Sequence, residues 1–416
     1  MESTKAALAV LGRAKPILLK LFPHAFLRQM KRKMVENSFQ KMEQVPIEPF
    51  CREKYKDGIN LIGNIKAETG LGQSCRLVAK ELEGSKIPYS LYQYNQLGDM
   101  TERDYPEFSE KFSEKLPYNI NLIHINPYDL GLAFLENHEM WDGRYNIGFW
   151  LWESEEFPQE WLPCFHCFHE IWTPSEFISN AIRKKTKLPV VTVPYHIEMP
   201  GNIKKDRSSF GLPKDQFLFL VMYDRNTRRK NPEGAIEAFK RAFKPEDKAG
   251  LVLKINNCVP QELQRLKKQL QDYKNVYFLT EVMTREDVNC LIKSVDVLVS
   301  LHHAEGFGLV MAEAMLLGTP AIATNWSANT EFMTPETSCL VDAPLVTLTE
   351  DTGLFKKGNR WAEPDISQAA GYMRQLYEKP QLCSQLSWQA NMDIRQRLSM
   401  EQAAARIKER LEHIYG

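Results

Sequence analysis

Two glutamates, Glu305 and Glu313, lie on either side of a glycine-rich turn, and no other part of the chain has residue types as well suited to chemistry. The turn, 306–309, follows an apolar strand-like run and precedes a helix-like run that ends at Gly318. Free backbone N–H groups and the helix dipole make such a turn favourable for phosphate. A carboxylate on each side can accept hydrogen bonds from hydroxyls. The arrangement therefore predicts a site for a diphosphate that carries hydroxyl-rich groups at both ends, as a sugar nucleotide does.

The full run EGFGLVMAEAM that begins at Glu305, followed by GTP at 318–320, resembles the E-x7-E signature of retaining glycosyltransferases of family 4, which have the GT-B fold. In that family the first glutamate contacts hydroxyls of the donor sugar and the second holds the nucleotide ribose. The resemblance implies these roles for Glu305 and Glu313. It also implies donor contacts from the turn residues between them, which are Gly306, Phe307, Gly308 and Leu309. The alternative is an ordinary amphipathic helix with a solvated Glu313.

A cationic loop, DRNTRRKNP, begins at Asp224 between a predicted strand and a predicted helix. Arginine offers a bidentate fork to phosphate and lysine a point charge. The loop resembles the phosphate loop of the family, which implies that Arg229 and Lys230 grip the donor diphosphate during catalysis. Many members place an arginine where this chain has Asp224, so the clamping arginine stays open among Arg225, Arg228 and Arg229. The alternative is an exposed basic loop.

Two positions in the N-terminal half fall at the ends of predicted strands. Gly72 belongs to a Gly-x-Gly loop after the run GINLIG, although any tight turn has the same pattern. In GT-B enzymes a glycine-rich loop at this place lets the backbone approach the donor phosphates or the acceptor, so the resemblance implies a donor contact for Gly72. His124 ends the run NINLIH, and strand ends of doubly wound sheets face the ligand crevice. Family members often carry a sugar-contacting histidine there, so His124 is predicted to be catalytic. In the other register Asn126 takes that place and His124 points into the core.

The segment WLWESEEFP, from Trp150 onward, lies in the N-terminal half of the chain. This half binds the acceptor in GT-B enzymes, so the resemblance implies an acceptor-side role for the segment. Trp150 and Trp152 alternate along a predicted strand and would share one face. Aromatic faces stack on sugar rings or cover lipid tails, and carboxylates bind sugar hydroxyls. We therefore predict Glu153 and Trp152 as acceptor-binding residues. The alternative is a packed tryptophan pair beside a solvated acidic loop.

Strand-like and helix-like runs alternate along the chain, break near residues 194–210 and then alternate again, which indicates two parallel sheets with helices on both faces. The fold class is therefore α/β. The resemblance implies the GT-B fold, in which two Rossmann-like domains face a cleft and a C-terminal helix crosses back to the first domain. The predicted segments are a basic N-terminal segment (1–44), an acceptor domain (45–196), a donor domain (197–395) and a C-terminal helix (396–416).

Composition narrows the class of protein. The 53 Lys and Arg residues balance 53 Asp and Glu residues, so no net field favours nucleic acid. The chain contains no run of 18 apolar residues, so the sequence predicts no membrane-spanning helix. Its eight scattered cysteines fit a reducing cytosol. Residues 1–41 carry nine Lys or Arg among apolar residues. This segment predicts either contact with an anionic membrane surface or an arm packed on the protein itself. We expect a cytoplasmic protein, at or near the inner face of the membrane.

The resemblance implies a retaining glycosyltransferase that moves a sugar from a nucleotide-diphosphate sugar, such as a UDP- or GDP-sugar, to a hydroxyl of a glycan or lipid-linked acceptor. Such enzymes build surface polysaccharide or lipopolysaccharide. No Asp-x-Asp pair for a divalent metal occurs, so we expect neither a metal nor another cofactor. The alternative is a non-catalytic sugar-nucleotide or glycan-binding protein of the same fold. A dehydrogenase would need a third glycine where this chain has Cys75.

Overall fold

The computed structural model describes residues 24–94, 101–198, 203–224 and 228–416, with side chains from residue 33 onward. The chain divides into two compact units. Unit 1 contains the chain up to Trp152, then Glu156–His196 and Met400–Gly416. Unit 2 contains Ile197–Ser399 and the short segment Glu153–Glu155. Each unit has its own sheet and its own buried core.

Unit 1 is built on a six-stranded sheet in which neighbouring strands run parallel. Its strands are β1 (Lys56–Gly63), β2 (Tyr89–Gln93), β3 (Tyr118–His124), β4 (Tyr145–Phe149), β5 (Glu170–Thr173) and β6 (Val190–Thr192). Their order is β2-β1-β3-β4-β5-β6, so the winding of the chain reverses between β1 and β3. Ligands of doubly wound sheets bind at the carboxyl ends of the strands beside such a reversal.

Helices cover both faces of this sheet, and the first of them that follows β1 begins earlier than the sequence predicts. The helices are α1 (His24–Met42), α2 (Gly70–Ser85), α3 (Pro127–Glu136) and α4 (Glu176–Arg183). The hydroxyl of Thr69 accepts a hydrogen bond from the N–H of Gly72 at 3.1 Å and caps α2. The predicted loop Gly70-Leu71-Gly72 is thus the first turn of a helix, because a good N-cap outweighs the poor helix propensity of two glycines.

Unit 2 repeats the architecture with another parallel sheet of six strands. Its strands are β7 (Phe217–Asp224), β8 (Ala249–Asn256), β9 (Val276–Leu279), β10 (Val297–Ser300), β11 (Ala321–Thr324) and β12 (Cys339–Val341). The order is β12-β11-β10-β7-β8-β9, so the reversal lies between β7 and β10. These two parallel sheets confirm the predicted α/β class with two domains.

The helices of unit 2 begin at side chains that suit their positions. Asn231 has a left-handed backbone (φ 48°) and accepts a hydrogen bond from the N–H of Gly234, with Pro232 at the first helical position. The hydroxyl of Thr284 accepts a hydrogen bond from the N–H of Asp287 at 3.0 Å. The helices are α5 (Pro232–Ala242), α6 (Pro260–Gln269), α7 (Arg285–Ser294), α8 (Leu309–Leu317), α9 (Ile366–Glu378) and α10 (Pro380–Arg397).

An antiparallel hairpin follows β12 and has no counterpart in the sequence prediction. It consists of β13 (Leu345–Thr347) and β14 (Arg360–Ala362). Its strands have three residues each, which is too short for an alternating pattern to stand out. The hairpin is fixed to the rest of unit 2 because the N–H of Ala362 donates to the carbonyl of His303 at 2.9 Å. Nδ1 of His303 lies 2.7 Å from the carbonyl oxygen of Ala362, and the His303 ring stacks on Trp361 with ring centroids 4.2 Å apart.

The last helix, α11 (Met400–Tyr415), belongs to unit 1 and packs on α2. Two polar contacts fix it to the sheet. Arg410 pairs with the fully buried Glu170 of β5, and the hydroxyl of Tyr415 donates to Asn119 on β3 at 2.8 Å. The final helix therefore returns to the unit in which the chain began.

The N-terminal prediction falls partly outside the described residues, because 1–23 are not among them. In the described part, Val35, Phe39 and Met42 of α1 are buried in the core of unit 1. The end of α1 is thus packed on the protein itself. Across the described ranges, no helix has both the length and the apolar character needed to span a membrane.

Candidate functional site

The predicted site residues of unit 2 lie close together, at the point where the strand order of its sheet reverses. The neighbouring strands β7 and β10 run parallel, so the segments that follow them leave from the same edge of the sheet. The segment after β7 carries Arg229 and Lys230, and the segment after β10 carries Glu305. The N–H of His303 donates to the carbonyl of Arg229 at 2.8 Å, which joins the two segments directly.

A hydrogen bond from the backbone of Glu305 fixes the position of this residue. Its N–H donates to the hydroxyl of Ser327 at 2.8 Å. Ser327 has φ 76°, a conformation that non-glycine residues seldom adopt and that costs about 1–3 kcal/mol, so the surrounding structure must hold it there. Beneath it, His302 is fully buried between the hydroxyl of Ser300 at 3.0 Å and the amide oxygen of Asn329 at 3.1 Å. This histidine supports the turn.

The carboxylate of Glu305 is buried between two cations. Only 6% of the residue is exposed. Lys230 donates to Oε1, and Nη1 of Arg229 lies 3.1 Å from Oε2. Burial opposes ionisation, but the charges of Lys230 and Arg229 outweigh it and hold the pKa of Glu305 well below its ordinary value. Glu305 is thus a fixed anion between two fixed cations.

Arg229 has a second carboxylate partner. Its Nη2 lies 3.2 Å from Oε1 of Glu153, and its Nη1 donates to the carbonyl of Ala304 at 2.7 Å. Burial would lower the pKa of this guanidinium, but Glu153 and Glu305 outweigh burial and raise it. Glu153 is the more exposed of the two carboxylates, with 31% of its side chain accessible. The predicted acceptor residue therefore contacts the predicted phosphate clamp.

The three arginines left open by the sequence differ in placement. Arg225 lies outside the described residues. The side chain of Arg228 is 69% exposed and pairs with Glu350 at 3.2 Å, away from Glu305. Arg229 is the arginine that shares Glu305 with Lys230. At the end of β7, Asp224 accepts a hydrogen bond from Asn257.

The glycine-rich turn leads directly into α8. Gly308 is the N-cap of the helix with φ 99°, a backbone conformation that residues with a side chain rarely adopt, so this position favours glycine. Phe307 is buried and packs against Phe332 with ring centroids 5.5 Å apart. Gly306 is buried as well, and Leu309 is the first residue of the helix. The turn thus aims the N-terminus of a nine-residue helix at the edge that carries Glu305.

Glu313 lies further along α8 and is buried. Its Oε1 pairs with Arg285 at the start of α7. Within the described residues, its other oxygen, Oε2, is buried and accepts no hydrogen bond. A buried carboxylate oxygen without a donor is costly unless a ligand supplies one. Glu313 is therefore not the solvated helix residue of the alternative interpretation.

The two predicted donor residues of unit 1 have structural partners. A Cβ on Gly72 would overlap the carbonyl oxygen of Ala67, so glycine is needed there for close backbone packing. His124 is buried at the end of β3, with Nε2 2.6 Å from the hydroxyl of Ser74 and its ring stacked on Phe149. Burial lowers the pKa of His124 to about 4. The structure thus favours the register in which His124 points into the core, and it corrects its assignment as a catalytic residue.

The predicted aromatic face for the acceptor is also corrected. Strand β4 ends at Phe149, so Trp150 and Trp152 do not alternate on a strand. Trp152 is only 3% exposed, its Nε1 donates to the carbonyl of Glu156 at 2.8 Å, and its ring packs edge-on against Trp161. The ring is part of the core of unit 1 and has no face free for a sugar.

Three residues at this edge were missed by the sequence analysis. Arg285 and Ser327 contact the two glutamates, but both come from segments with no motif of their own. Lys254 left a visible signal, because it interrupts the apolar run of β8. It is almost fully buried, and burial lowers the pKa of its amine to about 8. In the ranges that the structure describes, no group of three or more His, Cys, Asp or Glu side chains is arranged to hold a metal ion.

Comparisons with known proteins agree with this geometry. Residues 202–391, in unit 2, match the family described as Glycosyl transferases group 1. The alpha-monoglucosyldiacylglycerol synthase of Streptococcus pneumoniae is 27% identical over 160 residues, and the alignment spans 36% of this chain and 36% of that relative. The crystal structure of Anabaena Alr3699/HepE with UDP and glucose and the solved structure of sucrose-phosphate synthase from Thermosynechococcus elongatus both give TM-scores of 0.63, at 14% and 16% identity. Each covers 86% of this chain, and the alignments include 100% and 99% of those two chains. At such identities the likeness shows the fold alone, and it confirms the GT-B fold.

Proposed function

We propose that this protein is a retaining glycosyltransferase that moves a sugar from a nucleotide-diphosphate sugar to an acceptor hydroxyl. The observation that carries the proposal is the buried carboxylate of Glu305 between Lys230 and Arg229, next to the N-terminus of α8. Hydroxyl-binding and phosphate-binding groups thus meet at the reversal point of one sheet. The match of residues 202–391 to the Glycosyl transferases group 1 family supports the same reaction class.

The roles follow from charge. As the bond between sugar and diphosphate breaks, negative charge grows on the diphosphate, and Arg229 and Lys230 stabilise it. Glu305 accepts hydrogen bonds from hydroxyls of the donor sugar. Glu313, with its unfilled Oε2, accepts from the ribose. We propose that these cations and the start of α8 suffice for the leaving group, so that transfer needs no metal. The acceptor attacks from the same face, and the departing phosphate takes its proton.

The acceptor is proposed to be a glycan or a lipid-linked glycan. The Streptococcus relative is, by its name, a synthase of a diacylglycerol glycolipid. This name supports the proposal that the acceptor is located at a membrane. The Anabaena structure holds UDP and glucose, which supports a UDP-sugar donor. Such a reaction would serve the biosynthesis of surface polysaccharide or lipopolysaccharide at the inner face of the membrane. The part of residues 1–41 that precedes the buried end of α1 would supply the membrane contact.

The test is thermal unfolding with UDP, GDP, ADP, CMP or NAD. A nucleotide that binds only the folded chain stabilises it by about 2.7 kcal/mol at a hundred times its dissociation constant. One nucleoside diphosphate should raise the unfolding temperature, and Lys230→Ala and Glu313→Ala should abolish the rise. Arg228→Ala is the matched control, because Arg228 is a neighbouring exposed cation that pairs elsewhere.

A response to NAD alone would identify a dehydrogenase and end the proposal. If Lys230→Ala and Glu313→Ala keep the response to a nucleoside diphosphate, as the control Arg228→Ala should, the nucleotide binds away from the sheet edge that carries Glu305. Two further assays address the chemistry. Activity should survive a chelator if no metal is needed, and NMR of the first product should show the anomeric configuration of the donor if the enzyme is retaining.

A further inference from the structure

Unit 1 contains a cavity of about 450 Å³ that none of the roles above uses. It lies beside the carboxyl ends of β1 and β2, and its lining includes Gln93, the last residue of β2, and Lys66, which follows β1. Doubly wound sheets bind ligands at this edge. The volume falls within the range of small-molecule sites, about 300–1,000 Å³.

The cavity is framed by a segment that folds back over the sheet edge. The N–H of Glu68 donates to the carbonyl of Thr101 and the N–H of Arg103 donates to the carbonyl of Lys66, both at 2.9 Å. The side-chain oxygen of Gln93 accepts from the N–H of Lys66 at 3.3 Å. These bonds join the residues that follow β1 to the end of β2 and to the covering segment, so the cavity is formed before any ligand binds.

One wall of the cavity is the aromatic ring of Tyr105, which two neighbouring side chains hold in place. Tyr105 donates its hydroxyl to Glu68, and its ring lies 4.2 Å from the guanidinium of Arg76. Arg76 in turn donates to the carbonyls of Ile65 and Ala67 at 2.6 and 2.9 Å. A ring fixed in this way is a rigid platform, and contact with a rigid side chain costs a ligand little ordering entropy.

The remaining lining combines hydrogen-bonding groups with a second ring. The amine of Lys66 lies 2.7 Å from a carboxylate oxygen of Asp104 and 5.5 Å from the centre of the Phe112 ring. Glu102 and Ser109 also line the cavity. One cation stands against two carboxylates, Glu102 and Asp104, so the formal charge of the lining is −1. Carboxylates accept hydrogen bonds from hydroxyls and repel anions.

We infer that this cavity binds a neutral, hydroxyl-bearing sugar unit of the acceptor. Aromatic rings cover the apolar face of a sugar, and the carboxylates and the amine bind its hydroxyls. The negative lining disfavours phosphate groups and acidic sugars. The inference rests on the proposed function, because a sugar bound here is an acceptor only if the chain is a glycosyltransferase.

The experiment is an NMR titration of the full chain with methyl glucoside and the methyl glycoside of N-acetylglucosamine. Glucuronic acid and glucose 6-phosphate serve as anionic counterparts. Ser109→Trp fills the cavity from an exposed position. Glu110→Trp is the matched control, because Glu110 is exposed in the same short helix and lies outside the lining.

At least one neutral glycoside should bind, and Ser109→Trp should weaken it by about tenfold or more, which corresponds to about 1.4 kcal/mol. Glu110→Trp should leave affinity within about twofold, or about 0.4 kcal/mol. Equal binding by both variants, tighter binding of an anionic sugar, or no binding of either glycoside would each overturn the inference.

The nucleotide response of the same samples separates this inference from the proposed function. Ser109→Trp should keep the response, which also shows that the variant is folded. If the wild-type chain stabilises with a nucleoside diphosphate but binds no neutral glycoside, the cavity inference alone fails. If no nucleotide has any effect, the proposed function fails, whatever the glycosides do.

Discussion

Replacement of Glu153 by glutamine should tighten the binding of a nucleoside diphosphate. Arg229 already contacts two carboxylates, at 3.2 Å for Glu153 and 3.1 Å for Glu305. If Arg229 is to bind a phosphate, one of these carboxylates must give up its contact with the guanidinium. Glu153 is the more exposed partner, while Glu305 is also held by Lys230. The phosphate therefore competes with Glu153 for the guanidinium.

The size of the effect follows from the geometry. A phosphate on Arg229 would lie about 5 Å from the Glu153 carboxylate, and two unit charges at that separation repel by about 3 kcal/mol at an effective dielectric of about 20. With 31% of its side chain exposed, Glu153 is screened and can turn towards water. We therefore expect a net gain of about 1 kcal/mol for Glu153→Gln, or about a fivefold lower Kd.

Isothermal titration calorimetry with the nucleoside diphosphate that binds the wild-type chain measures this directly. Glu155→Gln is the matched control, since Glu155 is in the same tripeptide but pairs with Arg360 at 2.6 Å. It removes the same charge without freeing Arg229. The gain for Glu153→Gln should also shrink in high salt, because the competition is electrostatic.

Three results would refute this reasoning. A weaker affinity in Glu153→Gln would mean that Glu153 orients Arg229 for the phosphate instead of competing with it. An unchanged affinity, together with a lower rate of transfer, would mean that Glu153 acts on the acceptor alone. An equal gain in Glu155→Gln would show a general effect of charge and no specific exchange at Arg229.

Three more predictions concern unit 1. Gly72→Ala should lower the free energy of unfolding in urea by about 3 kcal/mol, because its Cβ would overlap the preceding loop, whereas Gly70→Ala, with no atom near the new Cβ, should change it by less than about 1 kcal/mol. Between pH 6.5 and pH 4 the unfolded chain takes up a proton at His124 that the folded chain, with a pKa of about 4, does not. Stability should therefore fall as the pH drops through that window, and His124→Gln should flatten the fall in urea titrations. Arg410→Met should destabilise the chain by about 3 kcal/mol in the same assay, because it leaves the fully buried Glu170 without its cation.

Much of the fold could be predicted because continuous apolar runs identify strands buried on both faces. Strand β7, with the sequence FLFLVMYD, and strand β3, with YNINLIH, were expected within a residue or two of their ends. The β13–β14 hairpin was missed, because its strands are too short for a pattern and its stability depends on packing against His303. The start of α2 was misplaced because a Thr cap and two glycines resemble a loop in sequence.

The site could be predicted only as far as its signals are local in sequence. Glu305, the turn after it and the Arg229-Lys230 pair belong to short continuous motifs. Arg285 and Ser327 come from other segments, and only the folded chain brings them to Glu313 and Glu305. The φ of 76° at Ser327 depends on tertiary packing, and no local residue preference indicates it.

The residues predicted for the site differ in what burial requires of them. A charged residue that the fold buries must have a compensating partner. Glu305, Arg229 and Lys230 meet that demand. An aromatic or neutral histidine side chain carries no such demand, because burial in an apolar core already satisfies most of its surface. His124 and Trp152 could face a ligand or the core with the same sequence, and in both cases a neighbouring side chain or carbonyl inside unit 1 satisfied the polar atom. Buried charges are therefore the more reliable guide to a site in a chain of this kind.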